Sequence, residues 1–218
     1  MSWLKRALGL EAPAANTLAP REGPLGLDNG KIVDIDPSLK LVLDGKVLQP
    51  LISGPNTLWS SGTITLGESH FLQRFYFDDN ENWLQVHTTG SLDGQIESVI
   101  LFNYSDAVTV NTEAELARLA GPESNVGLPT YDFGGHTFDR VWGTEEGQTA
   151  LVPYLEPVVT PNERYTISHH AMLYARDTAL PNRREFLLFS AEEDDEGTVT
   201  LTTSTGVSLY TTDIKVTH

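Results

Sequence analysis

Between Lys31 and Val216 the chain alternates short runs rich in Val, Ile, Thr, Phe and Tyr with turn-forming pairs. Alternation of apolar and polar positions with a period of two is the pattern of a strand that places one face in a core. Strands are expected at Lys31–Ile35, Leu39–Leu43, Lys46–Ile52, Leu58–Leu66, Phe71–Phe77, Trp83–Thr88 and Ile96–Tyr104 in the first half. The second half repeats the pattern at Thr137–Trp142, Thr149–Val159, Arg164–Arg176, Glu185–Ser190, Thr198–Thr203 and Val207–Val216. Asn29-Gly30, Asp44-Gly45, Asp93-Gly94 and Glu196-Gly197 are turn pairs, with glycine where a tight turn calls for positive φ. One segment breaks the period. Thr112 is followed three residues later by Glu115, Ala114, Leu116, Ala117 and Leu119 share a face, and Gly121-Pro122 ends the run. That punctuation predicts a short helix over 113–120. The segments 123–136 and 177–184 read as loops. The fold class expected is mainly β, of antiparallel sheets with one short helix; an α+β arrangement stays open.

The first 30 residues differ in kind. Pro13, Pro20, Pro24, Gly23, Gly26 and Gly30 interrupt any apolar period, so residues 1–30 read as a flexible amphipathic terminus followed by a linker. At helical spacing Trp3, Leu4, Ala7 and Leu8 face away from Ser2, Lys5 and Arg6. Such a wedge suits a bilayer interface or a partner protein, with Trp3, Leu4, Lys5, Arg6 and Leu8 as the contact residues. The apolar stretch behind Lys5 and Arg6 is too short for a secretory signal, and no stretch is long enough to span a membrane. The globular region is expected at 31–218. Similar Phe-Leu strands, acidic turns and Thr-rich strand ends around 71–89 and 186–203 suggest two packed β-subdomains, 31–110 and 130–218.

Charge narrows the partners. With 30 acidic and 14 basic residues among 218, the formal charge is −16, which disfavours contact with nucleic-acid phosphates. There is no cysteine, so disulfides, thiolate nucleophiles and sulfur-ligated metals are excluded. The run from Asp78 to Asn82 begins like a calcium loop, but Trp83 stands where the turn glycine belongs and Thr89 where the bidentate carboxylate belongs. The run from Glu192 to Glu196 reads as a solvated hairpin tip. Adjacent His169 and His170 point to opposite faces of a strand. No Gly-x-Ser-x-Gly elbow, phosphate loop or His-Glu-x-x-His motif occurs, so no catalytic residue, metal site or cofactor is expected.

The feature closest to a binding site is the placement of arginines among aromatic residues. Arg74 stands beside Phe75 and Tyr76, Arg140 between Phe138 and Trp142, and Arg176 close to Tyr174, with Trp83 on a neighbouring run. Arg74, Trp83, Arg140, Trp142 and Arg176 are therefore the candidate ligand contacts. The competing reading has the rings filling the sheet core and each arginine paired with a carboxylate.

Several short motifs carry a resemblance. Met-Ser-Trp-Leu-Lys-Arg at the start, Arg74-Phe75-Tyr76, Trp83-Leu84-Gln85-Val86, Leu173-Tyr174-Ala175-Arg176 and Glu185-Phe186-Leu187-Leu188 resemble the YjfK-like family of bacterial proteins, domain of unknown function 2491. The resemblance covers most of the chain from about Leu25 and carries no established catalytic residue. It implies a setting near membrane-stress proteins and a link to polyamine chemistry. The first functional expectation is thus a non-enzymatic adaptor, cytoplasmic or peripheral at the inner membrane, with a protein partner there. The alternative is a ligand-binding or enzymatic domain for a cationic small molecule such as a polyamine, with divalent cations as a further partner class.

Overall fold

The computed structural model describes residues 23–217. The amphipathic wedge at Trp3, Leu4, Lys5, Arg6 and Leu8 lies outside the described residues. Twelve strands are described: β1 (Ile32–Ile35), β2 (Gly54–Gly67), β3 (His70–Phe77), β4 (Asn82–Thr89), β5 (Gln95–Val110), β6 (Thr130–Phe133), β7 (His136–Arg140), β8 (Val152–Val159), β9 (Arg164–Asp177), β10 (Arg184–Glu193), β11 (Val199–Leu209) and β12 (Ile214–Thr217). Two helices, α1 (Ser38–Leu43) and α2 (Glu113–Ala120), complete the main elements. All strand pairs are antiparallel, so the fold is mainly β.

Eight strands close into a barrel in the order β2-β3-β4-β5-β11-β10-β9-β8, because β8 pairs with both β9 and β2. Both halves of the sequence supply strands to this one ring. The closing seam is short: β8 registers against β2 only at Ser61 with Val159 and Gly62 with Val158. Two 14-residue strands outrun the ring. The start of β2 pairs with β1, and the end of β9 pairs with β7, so each leaves the barrel to anchor an outer layer.

Alternation along the strands assigns the two faces. Outward Phe75, Phe77, Leu84, Val86, Leu101 and Leu209 pack beneath Leu27, Val33, Ile35, Leu39 and Leu43 from the segment preceding β2. Outward Met172, Tyr174, Leu187 and Phe189 pack beneath Leu116, Ala120, Val126 and Phe138. Leu27, within the Pro/Gly-rich stretch, is completely buried. The opposite face of the same strands points into the barrel, where Trp83 stacks on Phe102 with centroids 4.2 Å apart. At Gly206 a Cβ would stand 2.6 Å from that Phe102 ring, so glycine lets the ring fill the interior.

The expected helix at 113–120 is present. Thr112 Oγ1 accepts from the Glu115 amide at 3.1 Å, and Glu115 Oε2 accepts from the Asn111 amide at 3.0 Å, which satisfies donors at the helix start. Other expectations need correction. Leu39–Leu43 is helix, not strand: Asp36 Oδ1 accepts from the Ser38 amide at 2.8 Å, and Leu39 and Leu43 are buried while Leu41 is exposed, a spacing of four that only a helix gives. Lys46–Ile52 forms no strand; the Leu48 amide donates to the Glu185 carboxylate and Arg176 donates to the Lys46 carbonyl. The loop expected at 123–136 contains β6. The runs expected at 198–203 and 207–216 are one strand, β11, followed by a turn at Thr211–Asp213 and β12.

No helix among the described residues is long and apolar enough to cross a membrane.

Candidate functional site

Inside the barrel the apolar alternation is broken by a layer of polar side chains. On β3, Leu72, Arg74 and Tyr76 share the inward face. On β8, Tyr154, Glu156 and Val158 do the same. The Arg74 guanidinium reaches over β2 to donate to Glu156 Oε2 at 2.8 Å, and it donates also to the Tyr154 hydroxyl at 2.9 Å and to Gln85 Oε1 at 3.2 Å. The Tyr76 hydroxyl donates to Glu156 Oε1 at 2.7 Å. Gly62 lies beneath this bridge: a Cβ there would stand 1.8 Å from Glu156 Oε1. The absence of a side chain on β2 therefore lets β3 and β8 join above it.

His169 on β9 completes the layer. Its ring stacks on Tyr154 with centroids 4.8 Å apart, and its Nδ1 shares a hydrogen bond with Ser190 Oγ at 2.9 Å. Its Nε2 lies 3.0 Å from Glu156 Oε2, but off the line of a hydrogen bond, so this contact is one of proximity. Burial by itself pushes the Glu156 carboxyl up; Arg74, His169 and Tyr76 outweigh it together and bring the pKa down to about 2. For Arg74, burial favours the neutral form, yet the surrounding Tyr154 and Glu156 hold the guanidinium charged, well above its usual range. Burial raises the Tyr76 hydroxyl, helped by the Glu156 charge.

An open cleft of about 250 Å³ lies at one end of the barrel and shares Tyr76 with this layer. Five aromatic residues line it, Trp59, Tyr76, Phe77, Tyr104 and Tyr165, together with Asn80 and Asn82. Trp59 is among the exposed large hydrophobic residues. No lysine, arginine or carboxylate lines the cleft among the described residues. The acidic turn at its edge is self-contained. Asp79 Oδ1 accepts from the Glu81 and Asn82 amides, and Asp79 Oδ2 from the Asn82 side chain. On the other acidic run, Asp194 Oδ1 closes the turn by accepting from the Glu196 and Thr198 amides. Glu192, by contrast, belongs to β10 and is a strand residue.

Of the five residues expected as ligand contacts, Arg74 and Trp83 meet in the barrel, the guanidinium 4.6 Å from the indole centroid. Trp142 stands edge-on to Tyr154, with centroids 6.2 Å apart. Arg140 is elsewhere, donating to the carbonyls of Gly127, Glu145 and Gly147 and tying together the loops around β7. Arg176 pairs with buried Glu185 at 2.6 Å and holds the Lys46 carbonyl. Tyr154, Glu156, His169 and Glu192 were not singled out as ligand contacts. The alternation of Tyr154, Glu156 and Val158 was the available signal, since it places a carboxylate on the same face as two apolar side chains. Among the described residues no three His, Asp or Glu side chains gather to hold a metal ion.

A family model described as "Protein of unknown function (DUF2491)" matches residues 3–215. No curated protein and no solved structure matches the chain.

Proposed function

For a chain that belongs to the family described as "Protein of unknown function (DUF2491)", we propose a binding role: the mouth of the barrel takes a small organic cation. The observation that carries this reading is a cleft lined by five aromatic residues, one of which, Tyr76, donates to the buried Glu156 carboxylate. Ring faces attract cations. The net charge of −16 adds a long-range field of the same preference. The cleft is smaller than the ~300–1,000 Å³ usual for drug-sized ligands, which favours a compact or slender molecule. An eight-stranded barrel has room for packed side chains or one small ligand. Here the side chains occupy the middle and leave the mouth.

Titration calorimetry of the full chain with spermidine at physiological ionic strength tests the reading. Saturable one-site binding that survives this salt supports it. Attraction seen only at low salt, where exposed charges are poorly screened, overturns it.

A second reading, an adaptor held at the inner membrane, is supported by the amphipathic pattern of Trp3, Leu4, Lys5, Arg6 and Leu8. Cosedimentation with anionic vesicles, with and without residues 1–12, tests that attachment; equal sedimentation of both forms overturns it.

A further inference from the structure

We propose that the mouth cleft recognises a methylated ammonium in preference to a primary one, and that Trp59 is the ring that receives it. This inference rests on the cleft reading above and names the chemical class of the cation.

Three of the lining rings arrive by strand alternation. Tyr76 follows Arg74 on the inward face of β3. Tyr104 on β5 stands two residues beyond Phe102, whose ring stacks on Trp83 inside the barrel. Tyr165 on β9 registers with Val158 on the inward face of β8. A period of two therefore carries all three to the inner side of the same mouth.

Trp59 reaches the cleft by a different route. In the β2–β3 register Leu58 faces Phe77 and Ser60 faces Tyr76, so Trp59 is an extra residue with no partner on β3. Leu58 packs in the outward core, while Ser60 and Tyr76 line the cleft. Strict alternation would put Leu58 and Ser60 on one face; the bulge separates them and re-aims Trp59 to the mouth. Among the five lining aromatic residues Trp59 alone is exposed, at 45%.

The lining holds no counter-charge. Lysine, arginine and carboxylate are absent from it among the described residues, and the Glu156 carboxylate behind Tyr76 is already paired with Arg74. Asn82 is committed too, donating to Asp79 and accepting from Asn103. A primary ammonium is a compact, strongly hydrated charge, and taking it out of water without a charged partner is costly. Methyl groups spread the charge and weaken that hydration, so that ring faces suffice to hold it. A cleft with five aromatic residues and no carboxylate suits the methylated cation.

Calorimetry at physiological ionic strength with hexamethonium and with hexamethylenediamine, which share a spacer and a charge at pH 7, isolates the effect of methylation. The natural chain is expected to bind hexamethonium at least about 10-fold more tightly. A smaller preference, or the reverse, overturns the inference and leaves the cleft reading standing, with no variant needed. Trp59→Leu is expected to weaken hexamethonium about 3- to 30-fold, the range for one cation–ring contact, and Trp59→Phe to restore part of the loss. Circular dichroism and a thermal melt establish that the variants are folded. Hexamethonium binding unchanged in folded Trp59→Leu also overturns the inference. No binding of either probe or of spermidine by the natural chain overturns both readings.

Discussion

Removing one partner of the Arg74–Glu156 pair tests whether this bridge holds the barrel shut. Arg74 is 2% exposed and Glu156 fully buried. Three hydrogen bonds leave the guanidinium, two of them to β8. In Arg74→Met the carboxylate keeps Tyr76 and the misaligned His169 but loses the guanidinium counter-charge. A carboxyl brought from 4.5 to about 2 is favoured in its charged folded form by about 3 kcal/mol. Breaking a buried pair from one side costs about 3–5 kcal/mol in other proteins. Urea unfolding at pH 7 is expected to show a loss in that range for Arg74→Met, and a comparable loss for Glu156→Gln, which strands the guanidinium instead.

The pH dependence follows from the direction of the shift. Because the folded pKa of Glu156 is depressed, its contribution is complete above the unfolded value near 4.5 and is lost as pH falls towards 2. In Arg74→Met burial is opposed only by Tyr76 and His169 among the groups named above, and the pKa is expected to rise. The deficit of that variant relative to the natural chain therefore narrows between pH 7 and pH 5. Glu156→Gln has no such carboxyl, and its deficit does not narrow over that interval. The double variant Arg74→Met/Glu156→Gln is expected to cost less than the sum of the single losses, since neither side is left as an unpaired charge. Single losses below about 1 kcal/mol, against the 3–5 expected for a broken buried pair, or strict additivity at pH 7, would refute the bridge.

Gly62→Ala places a methyl group 1.8 Å from Glu156 Oε1, and the pinned carboxylate has little freedom to yield; a loss of about 1–3 kcal/mol is expected in the same urea assay. Thr112→Ala removes the cap of α2 and is expected to cost about 1 kcal/mol, with Thr112→Ser largely restoring it. At the other end of β3 and β4, His70 Nδ1 and His87 Nε2 are 3.0 Å apart, and burial, then the His70 charge, lower the His87 pKa. The neutral form is thus the folded one, and stability present above pH 6.5 declines as pH falls below it. Melts from pH 7.5 to pH 5 should show a shallower decline in His87→Gln than in the natural chain; parallel declines would show that the pair contributes nothing.

The outward and inward faces differ in how well the sequence foretells them. Phe75, Phe77, Leu84 and Val86 obey the two-residue period, and α2 carries its cap and stop in adjacent residues, so both are legible from local pattern. The helix α1 was masked because Leu39, Leu41 and Leu43 also satisfy strand alternation; the informative residues were Asp36 and Pro37, which open a helix by capping and fixed φ. Strand alternation puts Arg74 on the face of Leu72 and Tyr76, which is where it lies. Which face is wet, however, depends on a partner 82 residues away. Glu156 is harder still. A lone carboxylate between Tyr154 and Val158 has a reason to be buried only once β3 has been folded beside it, and nothing local announces that neighbour.

The short seam also has a temporal meaning. Most neighbours in the ring are joined by hairpins and form across a few residues, whereas β2 with β8 and β5 with β11 meet across long stretches of the chain. Contacts of such large sequence separation form slowly because the chain entropy is spent before the contact is gained. The ionic bridge sits on one of these two late junctions, so it does not guide the early hairpins and is expected to act as a latch on ring closure. Interactions made after the transition state slow unfolding and leave the folding rate nearly unchanged. A weakened latch is thus expected to shorten the lifetime of the closed ring while the ring still assembles at its natural pace.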